Sequence, residues 1–375
     1  MLRVLTRIGG IMRGERTPPS GTRTETHVDA KLRERYSRQI LFEPIGEAGQ
    51  ERLRQSKVAI IGCGALGSAV AGMLVRAGIG RMRIIDRDFV EPSNLQRQTL
   101  FEEADAQQLL PKAVAAERRL RCINSDVEVE GIVADLTPAN ADELLSDSAV
   151  LLDGTDNFET RLLINDYALK KSVPWVYAAV VSSHGLTMPI HPGESACLAC
   201  LAEDGDPGEN GSATQRNEPT CDTVGVLGPA AGVIASLEAA SALKILVGKS
   251  RPNDARLTTC DVWTGRFHSL RVTRRNDCRA CGQRQFSYLE GEAQPRLTMC
   301  GRDSVQIHER RRHLDLAALG RNLAAAGGHV RQNDFLLRLQ VPPYELTVFA
   351  DGRAIIKGTR DTSVARSIYA RYVGA

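Results

Sequence analysis

Three glycines and one aspartate stand at the spacing of a nucleotide-binding turn. Gly62, Gly64 and Gly67 form a G-x-G-x-x-G pattern directly after the apolar run Val58–Ile61, and Asp86 follows 19 residues after Gly67. Glycines at these positions permit a tight turn, a close approach of the backbone to a phosphate and close packing of helix on strand. Free amides at the helix start favour an anion, and the aspartate can accept hydrogen bonds from ribose hydroxyls. The pattern therefore predicts a nucleotide site rather than an ordinary tight turn.

Four further side chains indicate that the nucleotide is a triphosphate. Asn94 and Arg97 lie in the loop after Asp86, Lys112 stands on the following helix, and Asp156 follows a neighbouring strand. A dinucleotide on a helix dipole does not require two cations and an amide, whereas a triphosphate undergoing substitution does. Asp156 could hold Mg²⁺ between phosphates. Each residue alone is typical of a solvated surface charge, but together at one sheet edge they favour a phosphate site.

Two C-x-x-C pairs predict a second site. They are formed by Cys197 and Cys200, and by Cys278 and Cys281, within a total of nine cysteines. Two such turns complete a tetrahedral Zn²⁺ site with no open position for water, so the metal should be structural. A redox role would place one pair at a helix start near the sheet, and both pairs lie outside the predicted βαβ core. Because no secretory leader is evident, we expect reduced thiolates and a cytoplasmic protein.

The elements that must position these residues alternate between strand and helix. Strands are predicted at 58–61, 82–85, 127–133, 149–152 and 175–181, and helices at 68–77, 111–122 and 158–171. This alternation predicts an α/β fold with a doubly wound, Rossmann-like sheet, in which ligands bind at the carboxyl ends of the strands. Further helices are predicted at 31–40, 46–55 and 225–248, and a return pair of strands within 256–272.

Three regions are predicted along the chain. Residues 1–30 should be a disordered basic arm, residues 31–289 the nucleotide-binding domain with its zinc site, and residues 290–375 a small α+β unit. In that unit we expect helices at 314–326 and 364–372 and strands at 335–341 and 345–349. A mobile loop is expected at 201–223. The net charge of +3 gives no case for nucleic acid or an anionic membrane as a partner, and no uninterrupted apolar run reaches spanning length.

The motifs taken together resemble the ThiF/MoeB family of sulfur-carrier-protein adenylyltransferases, which are bacterial ubiquitin-activating-type enzymes. The resemblance covers residues 31–285 and rests on Arg35-x-x-Arg38-Gln39, the glycine turn, Asp86, Ser93-Asn94-Leu95-x-Arg97-Gln98, Lys112, Asp153-Gly154-x-Asp156-Asn157 and the two C-x-x-C pairs.

The resemblance implies an activity. ATP with Mg²⁺ and the C-terminal Gly-Gly carboxylate of a ubiquitin-fold sulfur carrier would give an acyl-adenylate and pyrophosphate, for thiamine or molybdopterin sulfur transfer. By this likeness Arg38 acts as an arginine finger on the ATP of a partner subunit, in a homodimer, and a cysteine desulfurase is a further partner. The implied nucleotide contacts are Gly62, Gly64, Ala65, Gly67, Asp86, Ser93, Asn94, Leu95, Gln96, Arg97, Lys112, Asp156 and Asn157.

Cys221 is a further candidate for chemistry. In some family members a cysteine at this point of a crossover loop links covalently to the activated carrier. A thiol near a helix N-terminus has its thiolate favoured, which favours the covalent role; the alternative is a spare loop cysteine. The opening of the C-terminal unit, at Cys300, only faintly resembles a rhodanese loop, so dimer support or carrier docking is expected of that unit instead.

Three other functions compete with this interpretation. An NAD-dependent oxidoreductase would leave Arg97, Lys112 and Asp156 unexplained. A tRNA-modifying relative with the same adenylating core is disfavoured by the near-neutral charge and the paired cysteines. A catalytically inactive binding module is disfavoured by the complete set of phosphate-binding residues.

Overall fold

The computed structural model describes residues 30–201, 224–291, 304–307 and 314–374. In these ranges the helices are α1 (Ala30–Ile40), α2 (Gly46–Gln55), α3 (Ala65–Ala77), α4 (Glu103–Gln107), α5 (Lys112–Ile123), α6 (Ala141–Leu145), α7 (Phe158–Lys171), α8 (Leu198–Leu201), α9 (Gly228–Leu246), α10 (Leu316–Ala325) and α11 (Thr362–Tyr372). The strands are β1 (Lys57–Ile61), β2 (Arg81–Ile85), β3 (Glu128–Ile132), β4 (Val150–Asp153), β5 (Trp175–Val181), β6 (His184–Ile190), β7 (Leu257–Asp261), β8 (Arg266–Leu270), β9 (Ser304–Ile307), β10 (His329–Gln332), β11 (Leu336–Val341), β12 (Tyr344–Phe349) and β13 (Ala354–Lys357).

The larger sheet has eight strands in the order β3-β2-β1-β4-β5-β6-β7-β8. Strands β3 to β5 of this order are parallel, and β6, β7 and β8 continue it as an antiparallel meander. The chain order reverses between β1 and β4, which is the point where doubly wound sheets bind ligands. Ile61 pairs with both Ile85 and Asp153, so β1, β2 and β4 end at one edge. The predicted fold class is confirmed.

Small apolar side chains hold the sheet and its covering helices together. Helix α3 is buried along most of its length, and Gly78, with a φ of 79°, forms a left-handed cap at its end. Helix α9 packs against α3, β5 and β6. By length and composition α9 could also cross a membrane, but these contacts make it a core helix of the described fold.

The smaller sheet is antiparallel, in the order β10-β11-β12-β13-β9. Its own core is formed by alternating residues of the strands, such as Leu337, Leu339, Leu346 and Val348, together with side chains of α10 and α11. The predicted helices and strands at 314–326, 335–341, 345–349 and 364–372 are confirmed within a few residues at their ends. The domain boundary at residue 290 stays a prediction, and the expectations for residues 1–29 and 202–223 lie outside the described residues.

The sequence analysis missed several strands. Strand β6 pairs with β5 along its whole length, although it contains Gly185 and Pro189, which are poor strand formers. Its neighbours β5 and β7 supply the pairing that its own composition does not predict. Strands β9, β10 and β13 have only four residues each, so their alternation is too short to be recognised.

A buried amide fixes helix α1 to the larger domain. Asn124 donates from Nδ2 to the Tyr36 hydroxyl and to the Val75 carbonyl, both at 2.8 Å, and accepts from Arg35 Nη1 at 2.5 Å. Tyr36 is buried and lies over Gly78, where an added Cβ would come within 2.4 Å of the ring. The position of α1, which carries Arg38, therefore depends on this amide.

We expect Asn124→Ala to lower the free energy of unfolding by about 1–3 kcal/mol, because it leaves buried polar groups without a partner. Urea denaturation followed by circular dichroism measures the loss. The control is Asp126→Ala, which removes an exposed ion pair with Arg35 and should cost about 0.5 kcal/mol or less. An equally small loss in both variants would contradict this role of Asn124.

Candidate active site

The floor of the site is a close contact between the turns that follow β1 and β4. Gly62 has a φ of +87°, and a Cβ added to Gly154 would lie 2.1 Å from the Gly62 carbonyl oxygen. A Cβ on Gly67 would lie 1.9 Å from that same oxygen. Helix α3 begins directly above, at Ala65. Its N-cap is Gly64, which has no side chain to cap the first helix amides. The backbone is thus as close-packed as the glycine pattern predicts.

Asp86 joins this turn to the loop after β2. Its carboxylate accepts hydrogen bonds from Cys63 N at 2.6 Å and from Asp88 N at 2.7 Å. Burial raises the pKa of Asp86, and the nearby Lys112 ammonium acts against that shift. A carboxylate can accept about four hydrogen bonds, so the two backbone contacts leave capacity for ribose hydroxyls.

Lys112 is a buried cation at the same edge. Its Nζ lies 3.0 Å from Asp88 Oδ2, and its side chain is only 6% exposed. Burial opposes ionisation, but the carboxylates of Asp88 and Asp86 outweigh it and raise the pKa of Lys112. Lys112 N also donates to the Asp88 carbonyl at 2.8 Å. The lysine is therefore charged at neutral pH and held beside the ribose-binding aspartate expected from the sequence.

The loop between these two residues contains a short 3₁₀ turn, Pro92–Asn94. Asn94 is buried, and its Oδ1 accepts from Glu91 N at 3.0 Å, so this side chain closes the turn. Arg97 donates from Nη1 to the Ser93 carbonyl at 2.8 Å. Ser93 and Gln96 are exposed and Leu95 packs against the core. The start of α9 lies against this loop, since a Cβ on Gly228 would be 3.0 Å from the Gln96 carbonyl.

The loop after β4 brings a second pair of carboxylates. Asp153 is fully buried and accepts from Thr155 and from Arg161 Nε at 3.0 Å. Burial raises the pKa of Asp153, and Arg161 acts against it. Asp156 is exposed, and its carboxylate contributes to raising the pKa values of Arg87, Lys112 and Arg161. The structure thus places Asp156 in the field of three cations, on the side of the site where a metal-bound phosphate is expected.

The predicted roles of Asn157, Arg38, Cys221 and Cys300 stay predictions. Asn157 caps α7 by accepting from Thr160 N at 2.8 Å. Arg38 is exposed on α1, and no described contact joins it to the residues above. Cys221 and Cys300 lie outside the described residues, so their roles stay predictions.

Four site residues were not predicted: Arg87, Asp88, Arg161 and Glu238. Asp88 could have been found, because it stands two residues after Asp86 and shares its strand end. Glu238 is an isolated acid in the apolar helix α9, buried beside Asp153; burial first, and Asp153 second, raise its pKa well above the ordinary value. Arg87 and Arg161 carry no local sequence signal, since their partners are set by the fold.

The four paired cysteines converge at a second position. Their sulfur atoms all lie within 4.8 Å of one another and the side chains are buried. Neighbouring pairs are separated by 3.9 Å (Cys197 to Cys200), 3.7 Å (Cys197 to Cys278) and 3.4 Å (Cys200 to Cys281). A tetrahedral Zn²⁺ at about 2.3 Å from each sulfur requires separations of about 3.8 Å. The residues therefore fit the predicted ion.

Helix α7 supports both cysteine turns through two consecutive residues. Leu198 N donates to Asn165 Oδ1 at 3.0 Å, which holds the first turn. Tyr288 N donates to Asp166 Oδ2 at 3.0 Å, and Arg279 Nη2 lies 3.4 Å from Asp166 Oδ1, which holds the second. Such outer contacts orient metal ligands and are part of a metal site.

Comparison with known proteins shows the family of this chain. The sequence profile described as the ThiF family matches residues 36–280. The chain belongs to the ThiF family. Among relatives, it is 43% identical over 344 residues to the sulfur carrier protein ThiS adenylyltransferase of Bacillus subtilis, covering 91% of this chain and 99% of that protein.

Two other comparisons each cover about two thirds of this chain. The molybdopterin-synthase adenylyltransferase of Escherichia coli is 35% identical over 250 residues, which is 66% of this chain and 96% of that protein. The crystal structure of E. coli MccB with ATP superposes with a TM-score of 0.58 and 27% identity, covering 66% of this chain and 74% of that chain.

We expect Cys278→Ser to remove the bound zinc and to lower the free energy of unfolding by about 4 kcal/mol or more, because a closed metal site contributes directly to folding. Metal content per chain by inductively coupled plasma mass spectrometry, together with thermal denaturation, measures both. Cys122→Ser is the matched control, since Cys122 is exposed on α5. A stable wild-type protein that holds no zinc would refute the assignment.

Proposed function

We propose that this ThiF-family protein uses ATP and Mg²⁺ to adenylate the C-terminal Gly-Gly carboxylate of a ubiquitin-fold sulfur carrier. A carboxylate oxygen would attack the α-phosphorus, the bond to the β-phosphate oxygen would break, and pyrophosphate would leave. The observation that carries this proposal is the meeting of Asp86, Lys112 and Asp156 at the carboxyl edge of β1, β2 and β4.

The chemistry needs positioning and charge neutralisation rather than an acid or a base. The carrier carboxylate is already ionised at neutral pH, and pyrophosphate is a leaving group whose negative charge must be stabilised. Lys112 is charged and buried, so it would act on a phosphate oxygen with little screening by water. Arg97 would add a second cation, and Asp86 would orient the ribose.

A metal ion would be held by Asp156. Magnesium takes carboxylate oxygens and phosphate oxygens as ligands, and Asp156 is an exposed carboxylate next to the expected phosphates. When bound, Mg²⁺ would neutralise charge on the phosphates. The cysteine cluster would hold Zn²⁺ in a closed structural site, which leaves it no part in the reaction.

The names of the relatives narrow the substrate class to sulfur carriers. ThiS adenylyltransferase and molybdopterin-synthase adenylyltransferase support a carrier for either thiamine or molybdopterin sulfur transfer. The alternatives are an NAD-dependent oxidoreductase and a tRNA-modifying enzyme. The first is disfavoured because the buried Lys112 forms an ion pair with the partly buried Asp88, at a position where a dinucleotide would require no such pair.

We further propose a homodimer in the cytoplasm, with a cysteine desulfurase as an additional partner. Arg38 is exposed on α1, which suits a residue that reaches the ATP of a second subunit. Four buried thiols fit a reducing compartment. Neither nucleic acid nor a membrane is proposed as a partner, in keeping with the net charge of +3.

Asp156→Ala should lower carrier-dependent ATP–pyrophosphate exchange by about 100-fold or more, because it removes the proposed metal-binding carboxylate. The fold should be unaffected, since Asp156 is exposed. The matched control is Glu143→Ala, an exposed acid on α6 that precedes β4 and so lies at the opposite edge of the sheet. Exchange near the wild-type rate in the Asp156 variant would refute its role.

A second experiment separates adenylation from covalent carrier transfer. Cys221→Ser should leave pyrophosphate exchange nearly unchanged but abolish a reducible enzyme–carrier adduct seen by intact-mass spectrometry, because the adenylate forms on other residues. Arg38→Ala should lower exchange by about 10³-fold, the scale of an arginine finger, and lose the adduct as a consequence. An adduct that survives in the Cys221 variant would assign the link to another thiol, such as Cys300.

A further inference from the structure

The smaller sheet contacts the larger domain mainly at the loop that carries the nucleotide-binding residues. Phe89 and Leu109 of that loop form a separate apolar cluster with Leu336, Phe349 and Ile355 of the smaller sheet. Asn333 adds two hydrogen bonds from Nδ2, to the carbonyls of Gln108 at 2.8 Å and Leu109 at 3.0 Å. The loop between Asp86 and Lys112 is therefore packed against the smaller sheet.

Two cations of the smaller sheet hold the first part of this loop. Phe89 is buried between them, with Arg338 Cζ 4.5 Å and Lys357 Nζ 5.8 Å from the centre of its ring. Lys357 Nζ also lies 2.5 Å from Glu91 Oε1. Glu91 caps the turn that contains Asn94. Lys357 is thus bonded to the residue that determines the start of this turn.

A second connection runs through Asp135. Its carboxylate accepts from Gln306 Nε2 at 2.8 Å and lies 3.4 Å from Arg353 Nη1, and both of these side chains belong to the smaller sheet region and are buried. The same carboxylate accepts from Arg87 Nη1 at 2.9 Å.

Arg87 continues this connection into the site. Its Nε lies 3.8 Å from Asp88 Oδ1, and the other oxygen of Asp88 lies 3.0 Å from Lys112 Nζ. Burial opposes ionisation, but the carboxylates of Asp135, Asp88 and Asp156 outweigh it and raise the pKa of Arg87. An unbroken series of charged contacts thus joins Arg353 to the proposed phosphate-binding lysine.

We propose that the smaller sheet is a positioning element for the nucleotide site, and that Lys357 and Arg353 are its positioning residues. Lys357 acts through Glu91 on the 3₁₀ turn, and Arg353 acts through Asp135 on Arg87 and Asp88. Both connections fix the loop orientation in which Asp86 and Lys112 meet a bound nucleotide. The proposal rests on the proposed function only for the identity of ATP as the ligand.

Two considerations favour positioning over plain stability. The Arg353–Asp135 pair is largely shielded from water and the Lys357–Glu91 pair is partly shielded. Shielded ion pairs repay their desolvation only when well aligned, so they suit the fixing of an orientation better than the apolar cluster does. The ThiF family match spans residues 36–280 and ends before the first strand of the smaller sheet. The smaller sheet therefore lies outside the matched family core, which points to an effect on nucleotide affinity rather than on the chemical step.

The test compares single substitutions in the full-length protein. Arg353→Ala and Lys357→Ala should each raise the Kd for Mg-ATP, measured by isothermal titration calorimetry, by about 5-fold, as expected for coupling between residues in one network. The KM for ATP in pyrophosphate exchange should rise equally, with kcat within about 2-fold of wild type. Lys357→Arg should recover most of the affinity, because it retains the charge.

Two further variants keep the result interpretable. Lys357→Met keeps the aliphatic part of the side chain on Phe89 and removes the ammonium group, with its bond to Glu91 and its weaker contacts with the Phe89 ring and Glu345, so it should fold and still lose affinity for Mg-ATP. The double variant Asp135→Asn/Arg353→Ala should raise the Kd for Mg-ATP no further than the weaker-binding of its two single variants does. Both substitutions interrupt the same connection, so their effects should not add. Arg366→Ala, at an exposed position on α11, is the control and should bind Mg-ATP normally.

The proposal would be overturned if folded Lys357→Met and Arg353→Ala proteins bound Mg-ATP as tightly as wild type. It would also fail if kcat fell and affinity did not. A wild-type protein that binds Mg-ATP but shows no exchange with any Gly-Gly-ended carrier would refute the proposed function and leave the positioning result standing.

Discussion

The arrangement depends first on the contact between two peptide groups, at Gly62 and Gly154. An added Cβ at either residue would come within 2.5 Å of the other's carbonyl oxygen, so neither position accepts a side chain. This contact brings the ends of β1 and β4 together at the point where the strand order reverses. The loops that carry Asp86 and Asp156 then open onto the same space, and the start of α3 lies above it.

Charge balance is the second constraint on the site. Asp86, Asp153 and Lys112 are buried at one edge of the sheet, where an isolated charge would cost several kcal/mol of desolvation. Each has an opposite charge or backbone amides within hydrogen-bond distance. The side chains are therefore oriented before a nucleotide arrives, and little reorganisation is required when phosphate charge enters the site.

Local patterns in the sequence predict the parts of this fold that local physics determines. The glycine turn, helix α7 at Phe158–Lys171 and strand β5 at Trp175–Val181 follow from backbone requirements and apolar spacing. The four cysteines could be assigned to one cluster because a tetrahedral ion needs two such pairs. Asn94 and Asn157 each close their own turn through Oδ1 in the structure, a local role that the sequence analysis did not predict, and their contacts with a nucleotide stay predictions. The connection from Arg353 to Asp135 spans 218 residues, and no short pattern reports a contact at that separation.

Helix α7 has one further consequence, because neighbouring turns of it contact different sites. Near the start of the helix, Arg161 donates a hydrogen bond to Asp153. Within the next two turns, Asn165 and Asp166 accept hydrogen bonds from backbone amides next to the two cysteine pairs. Arg161 and Asp166 are five residues apart on this helix, which is about 7.5 Å at the usual rise per residue. One helix therefore links the predicted metal centre to the proposed nucleotide pocket. If the cysteines hold zinc as predicted, loss of the metal would release the contacts of Asn165 and Asp166 and loosen the same helix that orients Asp153.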